Sequence, residues 1–268
     1  MIDSSATEEL LRRDRWIVGG GLLLICALAW AWLLAGSGTG MSMAAMMSWE
    51  FPPPAMAGGG GSWSAAYWLL ILVMWWVMMI AMMVPSAAPM ILLYARVYRH
   101  GRKGGAELSP VVPTAAFAAG YLLAWLLFSA LATGLHFALE QSGLVHRMTM
   151  WSTTAALSGA FLAAAGLYQF SPWKNRCLQQ CRSPASFLST HWRKSRAGAL
   201  RLGVEHGLYC VGCCWSLMLL LFVGGVMNLV WIAGLAALVL LEKLHRFGHS
   251  AARGAGAAMV ATGLYLLV

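Results

Sequence analysis

The chain has 268 residues, 60% of them hydrophobic and only 10% charged, with a formal net charge of +9 at pH 7. An ordinary soluble domain is about 45–50% apolar and about 25% charged. Together with a mean hydropathy of +0.70, this composition excludes a soluble globular domain, a disordered chain and a secreted disulfide scaffold, and leaves a polytopic membrane protein.

A helix needs about 20 apolar residues to cross the hydrocarbon. On that measure the apolar runs predict an all-α bundle of about seven spans, at 17–35, 67–94, 111–139, 151–170, 204–223, 226–243 and 252–268, forming a single integral membrane unit over 1–268. Barrel strands would be about ten residues long and alternating. The first span starts on basic residues, as a signal peptide does, but its apolar run exceeds the usual h-region, so it reads as a signal anchor. The outer loop that follows, 36–66, holds Met41, Met43, Met46, Met47 and Met56 and has no Lys, Arg or Cys.

The second span carries two methionine rows. Met74, Met78 and Met82 lie at i, i+4 and i+8 on one face, and Met79, Met83 and Met90 form the row beside them. Met is an adaptable core filler, so packing alone is the competing reading. Pro85 and Pro89 predict a kink near the inner end. In the fourth span, Gly159 with Ala163, and Ala156 with Ala160 and Ala164, read as small-residue packing faces.

The inner loop, 171–203, contains Cys177 and Cys181 as C-x-x-x-C. Its Phe187, Leu188, His191, Trp192, Ser195, Ala199 and Leu202 fall on one helical stripe, which predicts an interfacial helix on the inner leaflet. Only Gly224 and Gly225 separate the fifth and sixth spans, predicting a tight hairpin. Asn228 is placed to cap the sixth span. Glu242-Lys243 at its inner end reads as an interfacial ion pair. His136, His146, His245 and His249 lie near span ends or in loops, where solvated histidines are common.

The charge is one-sided. Of the 18 Lys and Arg, 17 precede the first span or follow the second, fourth and sixth, and only Arg147 falls on the other side. By the positive-inside rule the N-terminus and these loops face the cytoplasm and the C-terminus lies outside, in the inner membrane of a cell. The basic charge sets topology and touches the lipid bilayer. It does not point to nucleic acid.

The fifth span concentrates the chemistry. His206 and Cys210 are i,i+4, and Cys210 lies i+3 and i+4 from Cys213 and Cys214, so one helix face presents an imidazole and two or three sulfurs over about two turns. Thiolate and imidazole select Cu(I), Zn or an iron–sulfur centre. A lone Cys is often just a small buried hydrophobe, whereas three within five residues at membrane depth form a functional cluster. Cys177 and Cys181 sit at the face where this span begins. Cys26, alone in the first span, reads as packing.

The second and fifth spans run in opposite directions. A rise of about 1.5 Å per residue brings Cys213 and Cys214 level with Met78 to Met82, and Met218 level with Met74 to Met78. Thioethers bind Cu(I) without losing a proton, while thiols must give one up. Outer methionines and inner cysteines thus form a gradient from weaker to tighter sites. Hard cations want oxygen ligands, and the spans hold few carboxylates. Zinc remains possible at the thiols. No C-x-x-C-H, Walker loop, dinucleotide fingerprint or Ser/His/Asp arrangement is present, so no catalytic residue is assigned.

Three blocks carry a family resemblance. They run from Met74 to Met90 (MWWVMMIAMMVPSAAPM), from Tyr168 to Pro184 (YQFSPWKNRCLQQCRSP), and from Cys210 to Met218 (CVGCCWSLM) on to Met227-Asn228-Leu229 and Glu242-Lys243. Over about residues 65–245 the chain resembles a bacterial family of uncharacterised polytopic proteins described as predicted metal-binding integral membrane proteins. Trp173 departs from its pattern, which has a Leu before the Lys. The resemblance implies metal handling by these blocks.

The reading is a metal-handling inner-membrane protein that binds Cu(I). It passes copper across the membrane or delivers it to a copper enzyme under assembly, with a copper chaperone or that enzyme as partner. Cys210, Cys213 and Cys214 are the primary ligands. His206, Cys177 and Cys181 receive, release or complete, and Met74, Met78, Met79, Met82, Met83 and Met218 form the thioether path. The alternatives are a membrane thiol–disulfide oxidoreductase and a non-catalytic subunit or scaffold.

Overall fold

The computed structural model describes residues 4–39, 47, 62–100, 111–146, 150–193 and 195–268. Met41, Met43, Met46 and Met56 of the outer loop lie outside them, as do Arg102, Lys103, Arg147 and Lys194 of the charge pattern.

Each of the seven apolar runs is helical. The helices are α1 (Ser4–Leu34), α2 (Ala65–His100), α3 (Val111–Gln141), α4 (Ala155–Gln169), α5 (Pro172–Arg182), α6 (Pro184–His191), α7 (Arg196–Leu219), the single turn α8 (Leu221–Gly224), α9 (Leu229–Leu244) and α10 (Gly248–Leu267). Among the described residues the regular structure is helical, apart from an isolated bridge between Val145 and Ser152. Four helical stretches among the described residues are long and apolar enough to cross a membrane: Trp16–Leu34, Ala65–Arg99, Val111–Gln141 and Arg196–Gly224. This is fewer than the seven expected. α4 and α9 have 15 and 16 residues, which at about 1.5 Å per residue fall short of a hydrocarbon core of about 30 Å. α10 is long enough, but it opens on Gly, His, Ser and Arg residues that dilute its apolar run.

Local chemistry sets several boundaries. Thr154, Ser171, Ser195 and Asn228 cap α4, α5, α7 and α9, each accepting a hydrogen bond from a backbone N–H of the first turn. The Asn228 cap is the one expected. Pro172 and Pro184 open α5 and α6, where a missing N–H costs nothing. Pro85 and Pro89 lie inside α2, which continues through both. The stretch 187–202 is not one helix: α6 ends at His191 and α7 starts at Arg196. Phe187, Leu188, Ala199 and Leu202 are buried within the protein.

Glycine determines which helices touch. α3 packs along α7, and α4 along α10. A Cβ on Gly203 would collide with the Phe117 carbonyl oxygen. One on Gly120 would lie 2.9 Å from Val204 N, and one on Gly207 would lie 2.6 Å from Ala124 Cβ. The α3 and α7 backbones therefore approach as closely as small-residue helix pairs do. In the second pair, Gly159 and Gly263 face each other, and Gly166 faces Gly256, with each added Cβ meeting backbone at 2.6–3.1 Å. The expected Gly159/Ala163 face is the one that meets α10. The turn between α8 and α9 passes through Gly225 at φ +92°, directly beneath the Trp151 indole. That backbone and that crowding both require glycine.

The α3–α7 contact gives a direct prediction. Gly203→Ala forces two backbones apart and should cost about 1–3 kcal/mol, the usual penalty of overpacking. Gly134→Ala, with open space around the new methyl, should be neutral or slightly stabilising. Thermal unfolding of the two purified variants in detergent checks this, with a lower midpoint expected for Gly203→Ala alone.

Candidate metal centre

α7 presents Cys210, Cys213 and Cys214 inward, each about 1% exposed. Cys213 Sγ and Cys214 Sγ are 3.2 Å apart, and the Cys213 thiol donates to the Cys210 carbonyl oxygen at 3.2 Å. Cys181 of α5, half-buried, lies near enough to interact electrostatically with Cys210 and Cys213. The three buried sulfurs of α7 thus stand together, with the α5 thiol beside them. The neighbouring Cys210 thiol, with burial added, holds the Cys181 thiol above the ordinary thiol range.

Polar groups from three other places close on Cys210. The Lys243 ammonium of α9 donates to Cys210 Sγ at 2.9 Å and to Ser86 Oγ of α2 at 3.0 Å. Tyr121 OH of α3 is 3.1 Å from Cys210 Sγ and donates to the Met83 carbonyl oxygen at 3.2 Å. Ser86 Oγ donates to that same carbonyl at 2.8 Å. Cys210 is therefore the node where α2, α3, α5, α7 and α9 meet.

Other predicted groups fall around this node. His206 is buried among the rings of Phe117, Tyr121 and Phe187. Among the described residues its Nδ1 has no hydrogen-bond partner, and it hydrogen-bonds none of the sulfurs. Cys177 packs against Gly212, the residue before Cys213, where an added Cβ would lie 2.8 Å from its sulfur. Burial pushes the Cys177 thiol up. Met74, Met78, Met79, Met82, Met83 and Met218 are all fully buried in the same core. α2 and α7 do not lie backbone to backbone. Each packs against α3, and Lys243 and Tyr121 link them through side chains, while Trp75 of α2 meets Phe222 of the following turn α8, with ring centroids 5.4 Å apart.

Several groups escaped sequence reasoning. Glu242 and Lys243 do not pair with each other, because consecutive helix residues project about 100° apart. Glu242 instead takes Lys174 of α5 at 2.6 Å and Gln169 of α4 at 3.0 Å, while Lys174 also donates to Gln169. Both charges are almost fully buried. This clamp fixes the start of α5, the helix that carries Cys181. His136, expected in solvent, is fully buried between the Trp63 and Phe222 rings, and among the described residues neither ring nitrogen has a partner. Trp63 donates to the nearby Glu140 at 3.1 Å. A sequence signal existed only for Lys243: a cation in the last turn of an otherwise apolar helix needs a partner.

Among the described residues, no three His, Cys, Asp or Glu side chains are already spaced around a cation. The sulfurs are closed on one another. With metal–sulfur bonds of about 2.3 Å, tetrahedral ligands stand roughly 3.8 Å apart, so the Cys213–Cys214 pair must open to admit an ion. The donor set is all thiol, which suits a soft ion.

A family model described as PpoB2, copper chaperone, matches residues 72–266. The chain belongs to this copper chaperone family. The match takes in α2 from Leu72 on, α3 to α9 whole and α10 as far as Leu266, and so holds every residue of the sulfur cluster and both methionine rows. No curated protein and no solved structure matches the chain. Copper handling is the family's stated role.

The buried clamp is testable. Removing one partner of a buried ion pair strands the other charge, at about 3–5 kcal/mol. Lys174→Gln and Glu242→Gln should each lower the unfolding midpoint strongly, and the double variant should be less damaged than the sum of the two. Additive losses in a double-mutant cycle would show that the pair does not act as a unit.

Proposed function

We propose that the chain spans the inner membrane of a bacterial cell with its N-terminus in the cytoplasm and holds Cu(I) as cargo at Cys181, Cys210, Cys213 and Cys214. The observation that carries this reading is the gathering of three buried α7 thiols, two with sulfurs 3.2 Å apart, beside Lys243 and the α5 thiol of Cys181, within a chain of a copper chaperone family. Four helical stretches apolar enough to cross a membrane support the location. Cu(I) is the oxidation state that thiolate and thioether sulfurs favour.

The buried methionines Met74, Met78, Met79, Met82, Met83 and Met218 supply neutral thioethers on the approach to the cluster. They bind without releasing protons and so hold copper more loosely than thiolates do. Cys177 and His206 flank the cluster as receiving or releasing groups. The copper then goes to an acceptor across the membrane or to a copper enzyme under assembly. Zinc is disfavoured by the thioethers, which it rarely accepts as ligands.

Copper content by mass spectrometry tests the reading, on protein purified in detergent under reducing conditions after copper supplementation. The wild type should carry about one copper per chain, and the Cys210/Cys213/Cys214→Ser variant almost none. Equal copper in the two would overturn the assignment. Recovery of the chain in a carbonate-washed membrane fraction is expected, and its release by carbonate would overturn the spanning reading.

A further inference from the structure

The end of α6 carries a half-buried histidine, and a phenylalanine one turn earlier packs beneath it. The His191 ring stacks on Phe187 with centroids 4.7 Å apart and planes at 19°. Phe187 is fully buried, and it also meets His206 of α7 at 5.3 Å and 60°. Among the described residues the two imidazoles do not touch each other. His206 lies one turn before Cys210 on α7. Tyr121 adjoins both, with its ring 5.9 Å from that of His206 and its hydroxyl 3.1 Å from Cys210 Sγ. The order from the surface inward is therefore His191, Phe187, His206, Cys210.

Both imidazoles have a nitrogen to offer. His191 Nδ1 lies 3.1 Å from the Phe187 carbonyl oxygen and 2.8 Å from Thr190 Oγ1. A carbonyl oxygen can only accept, so Nδ1 carries the hydrogen and Nε2 the lone pair. Thr190 gives its own hydrogen to the Ser186 carbonyl oxygen at 3.0 Å, which leaves an oxygen lone pair for Nδ1. Metal-binding histidines are held in this way, through the nitrogen that does not bind. Among the described residues no hydrogen bond occupies His191 Nε2. His206 is 2% exposed, and its Nδ1 has no partner among them either. A buried polar atom left without a hydrogen bond costs about 1–3 kcal/mol. A phenylalanine would pack on the same rings without that cost.

Resting on the copper reading above, we propose that His191 and His206 are two stations through which Cu(I) passes between the α6 surface and Cys210, and that the Phe187 ring is the barrier between them. Imidazole accepts copper and thiolate selects Cu(I), so the ion is held more firmly as it moves inward. Each step exchanges one ligand lone pair for another, and the ion keeps its charge and oxidation state. The thiol that finally takes it gives its proton to solvent. Because Phe187 packs on both rings, it must turn aside for the ion to pass from one nitrogen to the next.

The experiment follows anaerobic Cu(I) loading over time, in the full chain in detergent, from a coloured Cu(I)–chelator complex. The wild type is compared with His191→Ala, His191→Cys, Phe187→Ala and, as a control, His249→Ala at an exposed position of α10. His191→Ala should load about tenfold more slowly, the scale on which metal sites respond to a lost supporting group, and reach the same final copper content. His191→Cys should restore the rate, because another soft ligand stands at the same place. Phe187→Ala should load faster than the wild type, and His249→Ala should match it. A wild-type rate in His191→Ala, equal slowing in His249→Ala, or no rescue by His191→Cys would overturn the route. An unchanged or slower rate in Phe187→Ala would overturn the barrier, and Phe187→Leu takes its place with the same expectation if the alanine variant does not fold. A wild type that takes up no Cu(I) would sink the copper reading itself, a result distinct from loading that ignores residues 187 and 191.

Discussion

The backbones of α3 and α7 touch because Gly120, Gly203 and Gly207 leave no side chain between them. That contact fixes how deep α7 lies and which way it is turned. Tyr121 is carried on the same stretch of α3, and the close approach lets its hydroxyl reach Cys210. With one side of α7 committed to α3, the remaining sides are left for α5 and for side chains reaching from α9 and α2. The cysteines occupy that remaining arc. A bulkier residue at any of the three glycines would push α7 outward and separate Cys210 from all of its partners together.

Two buried lysines show two ways of stabilising a charge in an apolar interior. Lys174 has a carboxylate and an amide, and the result is a clamp joining α4, α5 and α9. Its effect is structural: it anchors the first turns of α5, so that Cys181, two turns later, meets the α7 thiols. Among the described residues, Lys243 donates to a sulfur and a hydroxyl. Its ammonium is thereby held against Cys210. In a chain whose interior is otherwise apolar, electrostatics of this kind outweigh the packing preferences of single sulfurs, because little solvent screening reaches them.

Much of the architecture was legible from periodicity, since apolar runs bounded by caps, prolines and basic residues have only one stable local form in such a chain. The helices and the Asn228 cap follow from those signals, and the i, i+3, i+4 spacing was enough to gather Cys210, Cys213 and Cys214. Spacing could not separate Cys181 from Cys177. They lie one turn apart on α5, and only the packing of α5 on α7 turns one toward Cys210 and the other against Gly212. Nor could it place Lys243, because its partners come from residues 33 and 157 positions away. Chain position suggested solvent for His136, whereas Trp63 and Phe222 enclose it. The stripe from Phe187 to Leu202 has the period of a single helix, yet the chain breaks between His191 and Arg196 and buries both halves in protein.

The central claim is that one buried cluster, built from α5 and α7 together, is where copper is held. The division between the two α5 cysteines tests it most directly. Copper stoichiometry can be measured on purified Cys181→Ser and Cys177→Ser variants loaded side by side. The structure predicts that Cys181→Ser loses most of its copper or binds it far more weakly, while Cys177→Ser keeps the wild-type amount. Equal retention in both, or loss confined to Cys177→Ser, would contradict the account.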